Sequence, residues 1–370
     1  VRITYVGPVP PFRGGISQHG ARLVEALTAA GHEVRVLSWE VQYPRLLYPG
    51  QETDPDATKL SGARFFMRWS NPWSWWRAGR AAHGGDLLVF PWVTPVQAAA
   101  YRVMLAAARV PAVAIVHNPL PHERRPFDVP LIRSVLGRTS GTVVHATTSR
   151  SEMAWLVPGH RATYVPMPTM LPLQASELPP APPYRLLFFG FVRPYKGLDV
   201  ALEAMVELVA HGLPVRLTVA GEFWGPVEPW QRSVAANGLA GHVDLRPGYV
   251  SDAEVADLMA SHHLVVAPYR SATQSGIVPV AYAAGRPIAA TTVGGLAEQV
   301  IDGETGTLAP PDDAKAFAAA IERALGALDH LAAGAREHTA SWRDVAAAVT
   351  GFAEDRLARR RRRLNGPPAR

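Results

Sequence analysis

From Leu264 to Asp302 the chain runs twice through the same events: a short apolar run, a cluster of small residues, then a helical run. Leu264–Ala267 and Ile288–Thr291 have the length and composition of strands buried on both faces of a parallel sheet. Thr273, Gln274, Ser275 and Gly276 open an apolar helical stretch from Ile277 to Ala284, which Gly285, Arg286 and Pro287 stop. Gly294 and Gly295 open the next helix. Strand and helix alternating at this spacing point to an α/β fold, since each crossover helix covers the sheet it connects. Helix openings also carry chemistry, because their first N–H groups are unpaired and sit at the positive end of the dipole. Ser275 and Gly276 let an anion approach closely, and Gly294 and Gly295 are expected to do the same one unit later. A single Gly-rich turn is usually a cap. Two in tandem suggest a cleft for a phosphorylated ligand.

The same alternation extends along the chain. Arg2–Val6 reads as a strand, Gly7–Gly15 as a Gly- and Pro-rich loop, the stretch from Ile16 as a helix closed by Gly31, and Glu33–Leu37 as a second strand. Strands follow at Asp86–Phe90, Ala112–Val116, Thr142–Thr147 and Tyr164–Pro166, with helices at Tyr101–Ala108 and Ser149–Leu156. Pro172–Pro183 is a Pro-rich polar linker. A second series runs through strands at Leu186–Phe189, Val215–Ala220, Val243–Leu245 and Leu264–Ala267. Its helices are Leu198–Val209, Trp230–Asn237 and Asp252–Met259, the last with Ser251 as N-cap. A turn and strand at Gly303–Leu308 and a helix from Asp312 to Leu328 follow. The organisation expected is an N-terminal domain over 1–171, a linker over 172–184 and a second domain over 185–340. A last helix over 341–357 packs back on the first domain, and a disordered Arg-rich tail occupies 358–370.

With 370 residues, 48% of them hydrophobic, the chain supports two cores. It has no cysteine, which excludes disulfides, thiolate metal sites and a thiol nucleophile. The net charge of +6 is a property of the tail: seven arginines lie after residue 355, and without them the body carries −1. A general nucleic-acid footprint is therefore not supported. No secretory signal is read ahead of the first strand, and Arg102, Arg109 and Pro111 break the longest apolar stretch, so a cytoplasmic protein with at most peripheral membrane contact is expected.

Candidate site residues lie where parallel strands end. Gly14 and Gly15 open the first helix, either as a cap or as a backbone nest, and the absence of G-x-G-x-x-G after the first strand disfavours a nicotinamide dinucleotide there. His117 follows the strand Ala112–Val116; with His122 and Glu123 near it, a metal set is conceivable, but no second ligand cluster accompanies them and none is assigned. Arg193 and Lys196 share the loop after Leu186–Phe189, and both suit phosphate oxygens. Phe65–Arg80 holds two Phe and four Trp interleaved with Arg68, Arg77 and Arg80. Most of these rings are expected to pack on the sheet with the arginines snorkelling outward; the other possibility is an interfacial, membrane-facing segment.

These residues resemble a known family. FRGGISQHGARLVEALTAAGHEV, HNPLPHE, FFGFVRPYKGLDVALEAM and TQSGIVPVAYAAGRPIAATTVGGLAEQVIDGETGTLAPPDD, in this order, are similar to glycosyltransferase family 4 over nearly the whole chain. The resemblance implies a GT-B fold of two Rossmann-like, doubly wound parallel-sheet domains facing a central cleft. It implies a retaining transfer of sugar from a nucleoside-diphosphate donor, with no cofactor and no metal. By the same resemblance Gly14 and Gly15 lie near the donor phosphates, and His117 touches the donor sugar. Arg193 and Lys196 bind the diphosphate, Gln274, Ser275 and Gly276 supply phosphate contacts, and Gly221, Tyr249 and Val250 border the base and ribose. The family usually carries two glutamates eight apart near Ala272 and Val280 or Ala281. This chain has neither, which puts its sugar and ribose contacts in doubt; Glu298 is the nearest acid.

The function expected is transfer of a sugar to an acceptor hydroxyl in polysaccharide, glycolipid or glycoconjugate biosynthesis. The partners are the nucleotide sugar, a glycan or lipid-linked acceptor and, through the arginine tail, an anionic membrane surface. The alternatives are a nucleotide-sugar epimerase, shown by donor isomerisation without acceptor, and a non-catalytic nucleotide-sugar-binding subunit, shown by tight donor binding without turnover.

Overall fold

The computed structural model describes residues 1–43, 53–54, 57–121, 125–272 and 275–364, and side chains up to residue 354. The described chain forms two compact units: Val1–Met170 with the chain from Ser341, and Leu171–Ala340.

The first unit is built on seven strands: β1 (Arg2–Val6), β2 (Glu33–Val41), β3 (Arg64–Arg68), β4 (Leu87–Trp92), β5 (Ala112–Val116), β6 (Gly141–Val144) and β7 (Ala162–Tyr164). They lie in the order β3-β2-β1-β4-β5-β6-β7, and every pair is parallel. Its helices are α1 (Gly15–Ala29), α2 (Pro72–Ala82), α3 (Ala98–Ala108), α4 (Asp128–Leu136) and α5 (Thr147–Leu156). Period-two alternation divides β5 between two cores. Ala112, Ala114 and Val116 join the cluster with Tyr101 and Met104, while Val113 and Ile115 join the one with Leu23 and Leu27.

The second unit has six strands: β8 (Tyr184–Phe189), β9 (Val215–Gly221), β10 (Val243–Pro247), β11 (Leu264–Ala267), β12 (Ile288–Thr291) and β13 (Gly306–Ala309). They are parallel in the order β10-β9-β8-β11-β12-β13. The helices are α6 (Leu198–Ala210), α7 (Glu228–Ala236), α8 (Asp252–Ser261), α9 (Ile277–Ala283), α10 (Gly294–Gln299), α11 (Ala314–Gly326) and α12 (Leu328–Glu337). Ser251 caps α8 in a reciprocal box with Glu254. The final helix, α13 (Trp342–Leu364), returns to the first unit. There Val345, Val349 and Phe352 enter the core beside Ile3 and Val113, and Gly141 leaves the space that the Phe352 ring fills.

The Pro-rich stretch read as a linker is fastened to the second unit by Arg286. This side chain is fully buried, and its guanidinium donates to the carbonyls of Met259, Ser176 and Glu177 at 2.7–2.8 Å and to Ser176 Oγ at 2.7 Å. Burial lowers its pKa to about 10, with Arg336 adding to the effect, so it stays charged at neutral pH.

Four sequence expectations need correction. The aromatic stretch begins with strand β3, and only half of its rings pack on the sheet: Phe65, Phe66 and Trp75 are half-buried against the core, whereas Trp69, Trp73 and Trp76 are 43%, 62% and 39% exposed. The buried face of α2 carries Ser74, Ala78, Gly79 and Ala82 instead. A Cβ on Gly79 would stand 2.4 Å from the Met104 carbonyl oxygen, so α3 approaches too closely to admit an indole. The strand placed over Thr142–Thr147 ends at Val144, and α5 starts at Thr147. The helix placed over Asp312–Leu328 starts at Ala314, capped by the Asp313 side chain, and ends at Gly326 before α12. The helix α4 was not foreseen. The last helix, expected to end at 357, runs to Leu364, into the stretch read as a disordered tail; no side chain beyond residue 354 is described.

Candidate functional site

A ligand crevice in an open parallel sheet lies beyond the carboxyl ends of the strands, where the strand order reverses. In the second unit that point falls between β8 and β11, since the chain runs outward to β10 and returns on the far side of β8. A cavity of about 570 Å³ lies there. Phe189, Gly190, Tyr195 and Lys196 line it from the β8 side; Tyr269, Ser271, Ala272, Ser275, Gly276 and Ile277 line it from the β11 side.

Lys196 defines its electrostatics. The side chain is half-buried, and Nζ lies 5.2 Å from the centre of the Tyr269 ring. It forms no hydrogen bond or ion pair among the described residues. Burial holds its pKa below the ordinary value, opposed by Tyr195 and helped by Arg193. No carboxylate is among the described lining residues, so the ammonium is uncompensated there. The loop carrying it is rigid. Arg270 grips the Asp199 carboxylate with two bonds of 2.9 and 2.7 Å, donates to the Pro194 carbonyl at 2.9 Å and also reaches Asp312. Its own amide donates to the Tyr195 carbonyl at 2.7 Å. Gly197, at φ 69°, has the Pro268 carbonyl where a Cβ would be, 2.0 Å away.

The structure brings together Lys196, Ser275 and Gly276. It does not bring Arg193 to them: that guanidinium lies over the rings of Phe191 and Trp224, 4.9 and 4.7 Å from their centres, outside the cavity lining. The Ser275 amide is already engaged, donating to Gln299 Oε1 at 3.1 Å, and Gln299 Nε2 returns a bond to the Ser275 carbonyl. The expected opening at Gly294 and Gly295 is closed: the Gly295 amide donates to the Ala272 carbonyl, which lies 1.8 Å from where a Gly294 Cβ would stand. Gly294 thus admits the Ala272 backbone, and the Gly295 amide is not free for an anion. Gln274 lies outside the described residues, as do His122 and Glu123.

Tyr249 and Val250 border a second cavity of about 330 Å³, which Ala220, Glu254 and Asp257 also line. Gly221 is buried, with the Gly190 carbonyl 2.1 Å from its would-be Cβ. Glu298 is half-buried on α10 and lines neither cavity.

In the first unit Gly14 and Gly15 are exposed at the start of α1, beyond the carboxyl end of β1, with open space around both Cα atoms. His117 follows β5, and its Nε2 is buried without a hydrogen-bond partner. Two histidines that sequence reasoning did not single out stand against it. The His19 ring meets that of His117 edge-on at 4.8 Å, and His19 Nε2 lies 2.9 Å from His145 Nε2. Among the described residues no group of His, Cys, Asp and Glu is arranged to hold a metal.

Residues 13–168 match the family described as Glycosyltransferase Family 4, and residues 183–327 match Glycosyl transferases group 1. The chain is 29% identical to the phosphatidyl-myo-inositol mannosyltransferase of Mycolicibacterium smegmatis, over 93% of this chain and 92% of that protein. Its fold is similar to sucrose-phosphate synthase of Thermosynechococcus elongatus, with TM-score 0.66 and 19% identity over 98% and 99% of the two chains. It is also similar to Anabaena HepE in complex with UDP, with TM-score 0.64 and 16% identity over 97% and 99%.

Proposed function

For a chain that belongs to glycosyltransferase family 4 and has the GT-B fold, we propose that the Lys196 cavity receives the diphosphate of a nucleotide sugar, and that the sugar passes to an acceptor hydroxyl with retention at the anomeric carbon. The observation that carries this is the unpartnered Lys196 ammonium facing a cavity without a carboxylate at the switch point of the sheet. As the glycosidic bond breaks, the leaving diphosphate gains negative charge, and a fixed cation stabilises that charge more than it stabilises the bound donor. Lys196 supplies the compact charge. Arg193, without an ion pair among the described residues, adds to the potential from the same loop. In this mechanism a diphosphate oxygen takes the proton of the acceptor hydroxyl as the new bond forms, His117 holds the sugar, and no metal is assigned.

The base is assigned to the Tyr249 cavity. A thermal-shift series with UDP, GDP and ADP and their glucose or mannose esters tests donor binding, and UDP is the first to try, because HepE of the same fold holds it. A nucleotide at ~100 times its dissociation constant adds about 2.7 kcal/mol. No shift with any of the series would remove the donor site. A shift without hydrolysis or transfer would favour the non-catalytic binder.

The acceptor is read as a glycan or a lipid-linked sugar presented at the cytoplasmic face of an anionic membrane. What supports this is the outward-facing Trp69, Trp73 and Trp76, the last two stacked at 4.6 Å, with Arg77 and Arg80 on the same helix. The chain's similarity to a protein named phosphatidyl-myo-inositol mannosyltransferase points the same way. Among the described residues no helix is long and apolar enough to cross a membrane. Sedimentation with phosphatidylglycerol vesicles is expected to fall about tenfold in a Trp73→Ser, Trp76→Ser protein; equal sedimentation would leave these rings without a membrane role.

A further inference from the structure

The buried histidines of the first unit have a directional order that can be read from their partners. His145, which follows β6, places Nδ1 2.9 Å from the Val165 carbonyl oxygen. A carbonyl only accepts, so Nδ1 of His145 carries the hydrogen. A neutral His145 then has a bare Nε2, and that atom accepts the bond from His19 Nε2 at 2.9 Å. His19 must therefore carry its hydrogen on Nε2. Both rings are nearly inaccessible, at 1% and 4% exposure, and among the described residues no carboxylate contacts them, which favours the neutral forms. The chain of bonds fixes the plane of the His19 ring. That ring in turn meets His117 edge-on at 85°, and meets Trp342, the first residue of α13, edge-on at 78°. Trp342 is itself anchored by its indole N–H on the Thr169 carbonyl.

We propose that His145 and His19 are positioning residues, which hold the ring of His117 in one orientation at the carboxyl edge of the first sheet through tautomers anchored on the Val165 carbonyl. The proposal rests on the assignment of His117 to the donor sugar. Its physical content is that a side chain following a strand, with its buried Nε2 unbonded, has nothing of its own to fix its ring rotation. The His19 plate supplies that constraint. A ring free to rotate would lose part of its hydrogen bonding to a sugar hydroxyl, and misplacement by an ångström costs rate strongly.

Two substitutions at one position separate this role from simple packing. In His145→Gln the side-chain oxygen reaches the place of Nε2 and accepts from His19. In His145→Asn the amide can keep the Val165 bond but falls short of His19. Imidazole ¹⁵N spectra of the full chain are expected to show the Nδ1–H tautomer at His145 and the Nε2–H tautomer at His19. The His117 resonances should move in His145→Asn and stay in His145→Gln. Turnover of UDP-glucose, GDP-mannose or ADP-glucose, whichever the protein uses, is expected to fall on the order of tenfold in His145→Asn. His145→Gln should remain within about twofold. In a His117→Ala background, His145→Asn should cost nothing more. The opposite tautomers, equal behaviour of the two His145 variants, or an undiminished loss in the His117→Ala background would each overturn the proposal. If the spectra show the coupling but His117→Ala leaves turnover unchanged, the sugar contact itself fails and the catalytic purpose of the network with it.

Discussion

Lys196→Met lowers turnover of the nucleotide sugar by about two to three orders of magnitude and does not destabilise the protein, because the side chain's charge works on the leaving group and not on the fold. The two halves of this expectation have one cause. Lys196 is half-buried, has no hydrogen bond or ion pair among the described residues, and faces a cavity whose lining offers no carboxylate. In the empty protein its charge is a cost, so an apolar side chain of similar length holds or raises the thermal midpoint. In the presence of a diphosphate the charge becomes a gain, larger in the transition state than in the ground state, so kcat falls by more than KM rises. Lys196→Arg should recover only part of the rate, since the planar guanidinium is longer and Tyr195 and Tyr269 bound the space it must enter. Full turnover in the methionine variant, with donor still bound, would sink the assignment of the diphosphate to this cavity.

Mild acid is expected to destabilise the first unit markedly. Burial holds His117 at about 3 and His145 at about 4, with the neighbouring imidazole charge contributing at His117; the same causes hold His19 well below its ordinary value. Among the described residues no carboxylate contributes to compensate. A histidine whose folded pKa is depressed binds fewer protons folded than unfolded, so stability rises with pH up to the unfolded value near ~6.5 and falls below it. Each such group contributes about 1.4 kcal/mol per pH unit between the unfolded and folded values. For His117 and His145 together, going from pH 7 to pH 5 removes roughly 3 to 4 kcal/mol, with His19 acting in the same direction. Because the chain has two units, amide exchange in β5 and β6 is the right probe, as it reports the first unit alone. The His145→Gln protein should show a visibly shallower pH dependence. Exchange protection that is flat from pH 7 to pH 5 would mean that these rings are solvated.

The strands at the centres of both sheets were legible because a parallel strand covered on both faces must be apolar along its length. Ala112–Val116, Leu264–Ala267 and Ile288–Thr291 coincide with β5, β11 and β12 for that reason. The edge strand β3 was not legible: it exposes Arg64 and Arg68 and half-buries Phe65 and Phe66, which gives it the composition of a surface segment. Lys196, Ser275 and Gly276 were found as a set because parallel strands deliver their following loops to one edge. Arg193 and Gly294 were not distinguished from them. Which way an arginine lies, and whether a glycine faces a ligand or a carbonyl, depends on what stands opposite. Here those are the rings of Phe191 and Trp224, and the Ala272 carbonyl.

By itself, then, the sequence determined the α/β alternation, the positions of the buried strands and the loops that carry charge to the sheet edges, since each of these follows from local composition and period. The tertiary structure alone decided three further matters. It turned Trp73 and Trp76 of α2 outward, because α3 comes close enough at Gly79 to leave no room within. It left Lys196 without a counter-charge among the described residues, because none of those that line its cavity is a carboxylate. It joined His19 to His145 across 126 residues of chain, because pairing between side chains on different elements is set by how the elements pack, and no local pattern encodes that distance.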